Sequence, residues 1–361
     1  MHIHFITGFP GFISRQIIVE LIQQKKVGTI YAVVLPTQLV IAREVVKELV
    51  KDSPNVNIVI IEGDITLPNM GLSEETLQLV REQVTVVWHL AALYDLAVPR
   101  DIAWRVNVHG TQMVNEFVQN LPRISRYLYF STAYVAGTRE GILKENELIR
   151  PTAFKNFYEE TKFEAELLVE KIKTIVPTTI IRPGIVRGHS ITGETIKFDG
   201  PYFFINMIDN LSKLPVIPYV GKSSAYINVV PIDFIIKAVV YCSENERAIG
   251  KTLHLTDPNP HPVEEVYRHM VWEVTGKLPK GRFPLMLAKK GLAFKLVRQR
   301  LGVEKETLDY LTWAAQFDTA VANEVLKDSN IECADFIDSL PSMIAFYQKH
   351  KKDNQYHIQI K

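Results

Sequence analysis

The stretch "FYEETK" at residues 157–162 places Tyr158 and Lys162 four apart on a run with helical spacing, so both share one face. A phenol with a pKa near ~10 is a poor acid–base catalyst at neutral pH. An ammonium beside it favours the phenolate and brings that value down. Such a pair can give a proton to a carbonyl oxygen while hydride arrives from a nicotinamide. Alone, a Tyr and a Lys at this spacing are common on surface helices. Here the strand-like "YLYFSTAYVAG" precedes them and ends in Ser131 and Thr132. A hydroxyl at that strand end can hold the carbonyl oxygen beside the tyrosine. "NVHGT" adds Asn107, read as orienting the lysine through its backbone or a water, and "IIRPGIVRG" follows the next strand.

A second group of residues has the types needed to hold the hydride donor. "ITGFPGFIS" at residues 6–14 reads as a glycine turn between a strand and a helix. Gly8 and Gly11 let the backbone approach a pyrophosphate, and the helix start offers free N–H groups to it. Ser14 stands where a third glycine is usual. "EGD" at 62–64 ends a later strand, and Asp64 is placed to hydrogen-bond an adenine. "HLAA" at 89–92 brings small residues to the end of the next strand, where a cofactor can pass close to the backbone. At the end of the second strand no Asp or Glu occurs from Val33 to Arg43. An acid there would bind the ribose 2′-hydroxyl of NAD. Its absence tilts the expectation to NADP, with NAD as the alternative; Arg15 and Arg43 read as solvated helix residues before phosphate partners.

These residues need a scaffold, and the rest of the first two-thirds supplies one. Short apolar runs ("HIHFIT", "TIYAVVL", "NVNIVIIEGD", "VTVVWHLAA", "RYLYFSTA", "PTTIIRPG") alternate with amphipathic stretches of helical spacing. That rhythm predicts a parallel sheet covered on both faces, a doubly wound α/β (Rossmann) fold. After Gly188 the rhythm breaks into a loop-like, Gly- and aromatic-rich segment. It resumes in "INVVPIDFIIKAVVYCS" and "GKTLHLTD", then gives way to mainly helical sequence. We expect a cofactor domain of residues 1–188 plus about 226–256. Residues 189–225 and 257–361 then form a smaller, mainly helical substrate lobe.

Bulk properties fit this reading. The 361 residues are 47% hydrophobic and 22% charged, with net charge +1. That balance speaks against a nucleic-acid partner. Two cysteines make no disulfide framework, no signal peptide is visible, and no run nears the ~18 apolar residues of a membrane span. A cytoplasmic protein is expected, with no metal site.

The motif order TGxxGxx, GD, HLAA, NVxGT, FSTAYVAG, YxxxK, RPG resembles the extended short-chain dehydrogenase/reductase superfamily. Within it, the chain most resembles the fatty acyl-CoA reductase and carboxylic acid reductase branch. "TGFPGFIS", "GDITLPNMGLSEE", "YFSTAYVAG" and "FDTAVANEVLKDSNIECADFIDSLPSMIAFY" carry that likeness. The resemblance implies catalytic places for Thr132, Tyr158 and Lys162, with Asn107 in support. Thr132 is preferred to Ser131 because its distance to Gly137 matches the family's hydroxyl residue. The implied cofactor contacts are Thr7, Gly8, Phe9, Pro10, Gly11, Phe12, Ile13 and Arg15, then Asp64 and Ile65, then Leu90, Ala91 and Ala92. Ser131, Tyr158, Lys162, Pro183, Gly184 and Ile185 complete them. Two positions depart from the pattern: Ser14, and Leu35, where acyl reductases usually carry an arginine before the proline.

The implied reaction is NAD(P)H-dependent reduction of a CoA- or carrier-bound acyl thioester to an aldehyde or alcohol. A sugar-nucleotide epimerase or dehydratase, or a hydroxysteroid-type dehydrogenase, shares the catalytic trio and is the alternative. A non-catalytic NAD(P) sensor is the third reading. "GPYFFINMIDNLSKLP" reads as core packing or as an acyl tunnel. Between Val274 and Val303 lie eight Lys/Arg residues and no acid, interleaved with apolar side chains. This segment suits CoA phosphates, an acidic carrier protein, peripheral membrane contact or a plain solvated face. A homodimer is compatible with all of these.

Overall fold

Strands form where short β-branched or aromatic runs are bounded by turn residues. In the computed structural model, which describes residues 2–94 and 98–358, seven such runs make one sheet. They are β1 His2–Thr7, β2 Val27–Val34, β3 Asn57–Glu62, β4 Val86–His89, β5 Arg126–Phe130, β6 Thr178–Pro183 and β7 Thr252–Leu255. The order is β7-β6-β5-β4-β1-β2-β3, and every neighbouring pair is parallel. The order reverses between β1 and β4. Chains leaving those two strands therefore diverge to opposite faces and open a crevice at their carboxyl ends. The register sets Thr7 beside His89 there.

The helices that matter to the site are α1 Phe12–Gln23, α2 Leu39–Val50, α3 Glu74–Gln83, α4 Gly110–Gln119, α5 Phe157–Ile172, α6 Tyr202–Leu211 and α7 Ile232–Glu244. Ile17 and Leu21 of α1, Val45 of α2 and Val239 of α7 pack with Trp88 and Leu128 on one face of the sheet. Leu77 of α3, Phe117 of α4 and Val169 of α5 pack with Phe5, Val87 and Tyr127 on the other. Adjacent strand residues such as Val87 and Trp88 thus enter opposite cores. Each fully buried side chain of this size contributes roughly 1.5–3 kcal/mol.

Two elements differ from the sequence expectation. The expected helix over "AWRVNVHGTQMVNEFVQN" contains a π-helical segment, Trp104–His109, before α4. The loop-like segment after Gly188 runs into α6, which begins at Tyr202, and Phe203, Phe204, Ile205 and Met207 are buried. Their apolar faces pack in a separate core with Val266 and Met270 from Val263–Thr275 and Leu340 and Met343 from Phe336–His350.

Candidate active site

The glycine turn sits at the crevice. Gly8 has φ +83°, and a Cβ on it would lie 2.8 Å from the Ala91 nitrogen and 2.9 Å from the Leu90 carbonyl carbon. A Cβ on Gly11 would lie 2.7 Å from the Gly8 oxygen. Both positions therefore exclude a side chain, and the turn is pressed onto the chain leaving β4. α1 starts at Phe12 with no side-chain cap and no acid in its first turn. Its first N–H groups and its positive dipole end suit an anion. Ser14 is buried, and its hydroxyl donates to the Gly8 and Gly11 carbonyls at 3.1 and 2.9 Å. The serine thus ties the turn together from inside. The Arg15 Nε donates to the Pro10 carbonyl at 2.7 Å, which folds the guanidinium back over the turn. Arg43 lies exposed on α2, and Leu35, just past β2, is 45% exposed. The turn thus offers backbone N–H groups with no acid in the first turn of α1, and it fits a dinucleotide phosphate.

The flanks of this turn are held from below. Thr7 Oγ1 lies 2.8 Å from His89 Nδ1 and accepts from the Ala91 N–H at 3.2 Å. His89 Nε2 lies 3.0 Å from Thr111 Oγ1, which donates to the Asn107 carbonyl at 2.7 Å. That carbonyl claims the threonine proton, so His89 donates from Nε2 and accepts at Nδ1. Burial, then the charge of Lys162, lowers the His89 pKa to about 3, which keeps the ring neutral. Asp64 closes a turn by accepting from the Thr66 N–H at 2.8 Å. Ile65 is buried against Gly110, where a Cβ would lie 2.7 Å from Ile65 Cδ1. Its side chain therefore packs on α4. Pro183, Gly184 and Ile185 leave β6 beside Asn228, whose Oδ1 would lie 2.5 Å from a Cβ on Gly184.

The chemistry-bearing side chains converge one strand away. Asn156 caps α5 by accepting from the Glu159 N–H at 2.9 Å, and Glu159 and Glu160 favour the helix start. Tyr158 sits in that first turn, partly exposed, with the Thr132 hydroxyl near enough to act on its phenol. Thr132 is buried just past β5, and its Oγ1 accepts from the Tyr134 N–H at 3.3 Å. Desolvation pushes the Tyr158 phenol up to about 12, with the Thr132 hydroxyl acting in the opposite direction.

Lys162 stands one turn on, 3% exposed. Its ammonium donates to the Tyr129 hydroxyl at 3.0 Å and the Phe130 carbonyl at 2.5 Å, and it lies 4.4 Å from the Tyr129 ring centroid. The lysine is thus held by the end of β5. Burial lowers Lys162 to about 7, with Glu166 pulling it back up.

The Asn107 Nδ2 donates to the Leu93 carbonyl at 3.0 Å and the Thr161 hydroxyl at 2.9 Å, and its Oδ1 accepts from the Leu93 N–H at 2.7 Å. Its side chain thus clamps the chain after Ala92 to α5, one residue from Lys162. The Ser131 hydroxyl turns away from the crevice and donates to buried Glu166. Glu166 pairs with buried Arg182 at 2.5 Å.

Tyr129, Phe130 and Glu166 escaped the sequence reading. Tyr129 lies in an apolar strand run and reads as core, which its ring also is. Glu166 left a signal, since it follows Lys162 by one helical turn on the same face.

Comparison with known proteins bears on this arrangement. Residues 6–239 match the family described as male sterility protein. The fatty acyl-CoA reductase wat of Drosophila melanogaster is 26% identical over 304 residues, 74% of this chain and 58% of that one. A linear gramicidin synthase from Brevibacillus parabrevis is 25% identical over 266 residues, 70% of this chain and 5% of that one. The chain spans 58%, 53% and 61% of three Drosophila relatives described as known or putative fatty acyl-CoA reductases. Among solved structures, the terminal R domain of the myxalamid PKS-NRPS pathway superposes with a TM-score of 0.82. It is 22% identical, with 99% of this chain and 93% of that one covered. A UDP-glucuronic acid 4-epimerase from Bacillus cereus, at 17% identity and a TM-score of 0.65, shares the fold over 96% of this chain and 99% of that one.

Proposed function

Because the chain belongs to the male sterility protein family, within the extended short-chain dehydrogenases/reductases, we propose that it reduces acyl thioesters with NAD(P)H. The observation that supports this most is the placement of the Tyr158 phenol beside the Thr132 hydroxyl, one helical turn from the buried Lys162. NADP is the favoured cofactor form and NAD the alternative, since no acid stands at the end of β2.

Gly8 to Ile13 and Arg15 would hold the phosphates, Asp64 and Ile65 the adenine end, and Leu90 to Ala92 the backbone path between. Lys162 would hold the nicotinamide ribose, next to Pro183, Gly184 and Ile185. The bound cofactor supplies the hydride. The Thr132 hydroxyl and Tyr158 phenol donate to the thioester oxygen as its negative charge develops. Tyr158 passes its proton to that oxygen, which gives a hemithioacetal. Collapse breaks the C–S bond, the hydroxyl proton leaves with the thiolate, and an aldehyde and a thiol result. In the same reading the acyl group arrives on CoA or a carrier protein in the cytoplasm. Residues 189–225 and 257–361 form the lobe that selects it, while residues 1–188 with about 226–256 hold the cofactor.

The test follows loss of reduced nicotinamide absorbance with NADPH or NADH and acyl-CoA thioesters of increasing chain length. Oxidation that requires both a thioester and Tyr158 supports the proposal. Tight nicotinamide binding with no thioester turnover refutes it and favours the epimerase or sensor readings.

A further inference from the structure

Two short helices, Leu285–Gly291 and Lys295–Leu301, carry apolar side chains on two faces. Leu285, Ala288 and Leu301 turn inward onto the lobe's core. Met286, Leu287, Phe294 and Leu296 turn outward and are 69%, 50%, 68% and 81% exposed. Leu278 and Phe283, just before them, are exposed too. A surface helix ordinarily keeps one apolar stripe and a polar opposite face. A cluster of exposed apolar side chains marks an interaction surface.

Charge says which kind. No acid occurs from Val274 to Val303. Lys289 pairs with Asp309 and Arg298 approaches Glu304. Lys290, Lys295 and Arg300 are exposed, and none of the three has an ion-pair partner among the described residues. Unpaired cations and protruding apolar groups therefore alternate along the same two helices. At a bilayer interface, such apolar tips enter the acyl boundary while cations meet anionic headgroups. Among the described residues no helix is long and apolar enough to cross a membrane, so the contact is one of lying on the surface.

We propose that the Leu285–Leu301 face docks on an anionic lipid bilayer, with Phe294 and Leu296 inserted and Lys290, Lys295 and Arg300 at the phosphates. Lipid fits better than an acidic protein because these side chains stand out into water. A fluid apolar phase accepts protruding groups of any shape, whereas a protein partner must match them. The face is linked to α5 through one intervening segment. Lys289 holds Asp309 at 2.6 Å in the Lys305–Thr312 turn, and Tyr310 of that turn donates to Glu159 Oε1 at 2.8 Å, beside Tyr158. Docking would bring α5 close to the membrane. The proposal stands without the reductase reading.

The experiment sediments the full chain with vesicles of phosphatidylglycerol and phosphatidylcholine, and with phosphatidylcholine alone. The expected result is binding to the anionic vesicles that weakens as salt rises. Joint Phe294→Glu and Leu296→Glu should lower that binding about tenfold or more. Joint Lys290→Gln, Lys295→Gln and Arg300→Gln should do the same for the anionic vesicles, and this second variant decides the matter if the first fails to fold. No binding to anionic vesicles overturns the proposal, as does binding that both variants leave unchanged. A dimer in solution that the Glu variant dissolves, with no vesicle binding, overturns it in favour of self-association.

Discussion

Lys162 is a cation buried between a strand end and a helix, and its burial sets two expectations. Its pKa in the fold is lowered to about 7, whereas an unfolded lysine titrates near ~10.4. Between these values the unfolded chain binds the proton that the folded chain has lost. Stability should therefore rise with pH from about 7 to about 10, by up to roughly 1.4 kcal/mol per pH unit. The destabilising contribution is fully present below pH ~7. Urea unfolding across that range should show the slope, and Lys162→Met should flatten it. At the chemical end, Tyr158→Phe removes the transferable proton but leaves the ring. Turnover of a thioester should fall by about 10²–10⁴, while a fluorescence titration of nicotinamide binding stays near wild type. A comparable loss of cofactor binding would mean that Tyr158 holds the cofactor more than it serves the reaction.

The glycine turn shows what an element adds to its residues. Gly8 combines φ +83° with backbone atoms of Leu90 and Ala91 under 3.0 Å from where a Cβ would stand. Gly8→Ala should cost about 1–3 kcal/mol for the positive φ alone, and the turn must also lift off Leu90 and Ala91. Denaturant unfolding should show the loss, with a weaker nicotinamide affinity beside it. Ser14→Gly should be milder. It removes the one hydroxyl proton shared between the Gly8 and Gly11 carbonyls, worth about 0.5–1.5 kcal/mol, without forcing a clash. In α5, helical geometry alone puts Tyr158, Lys162 and Glu166 in one line. The strand beneath assigns their partners: Tyr129 and Phe130 to the second and Ser131 to the third, with Thr132 beside the first.

Across the whole molecule, one buried polar network joins the sheet to distant chain. Arg182 on β6 pairs with Glu166 on α5, and donates to the Glu145 and Glu147 carbonyls at 3.3 and 3.0 Å. Glu145 in turn accepts from the N–H groups of His254, Val321 and Ala322. Burial pushes the Glu145 carboxyl up to about 7 despite those bonds. Arg182→Met would remove the cation paired with buried Glu166, leaving Lys162 as its neighbouring charge, and should cost about 3–5 kcal/mol in urea unfolding. Joint replacement of Arg182 and Glu166 by Met should recover part of that loss, because no half of the ion pair is left behind, although Lys162 loses the charge that supports it. Failure to recover it would show that the hydrogen bonds to residues 145–147, rather than the ion pair, hold the network.

Local chemistry made much of this protein legible from its sequence. The strand–helix alternation, the Gly8–Gly11 turn and the shared face of Tyr158 and Lys162 follow from short-range spacing, and the sheet order agrees with the first of these; the place of Thr132 rests on the family resemblance. Spacing along a helix or strand determines which residues share a face. It does not determine what lies opposite. The partners of Lys162 come from 32 and 33 residues away, and Asn107 bonds Thr161 across 54. The Arg182 network reaches His254 across 72 residues. Only the tertiary structure could decide these, because a buried donor is claimed by whichever acceptor packing brings within about 3 Å. The outward apolar faces of Leu285–Gly291 and Lys295–Leu301 belong to the same class. Sequence marks them as apolar and basic, and only the packed lobe shows which side chains remain in water.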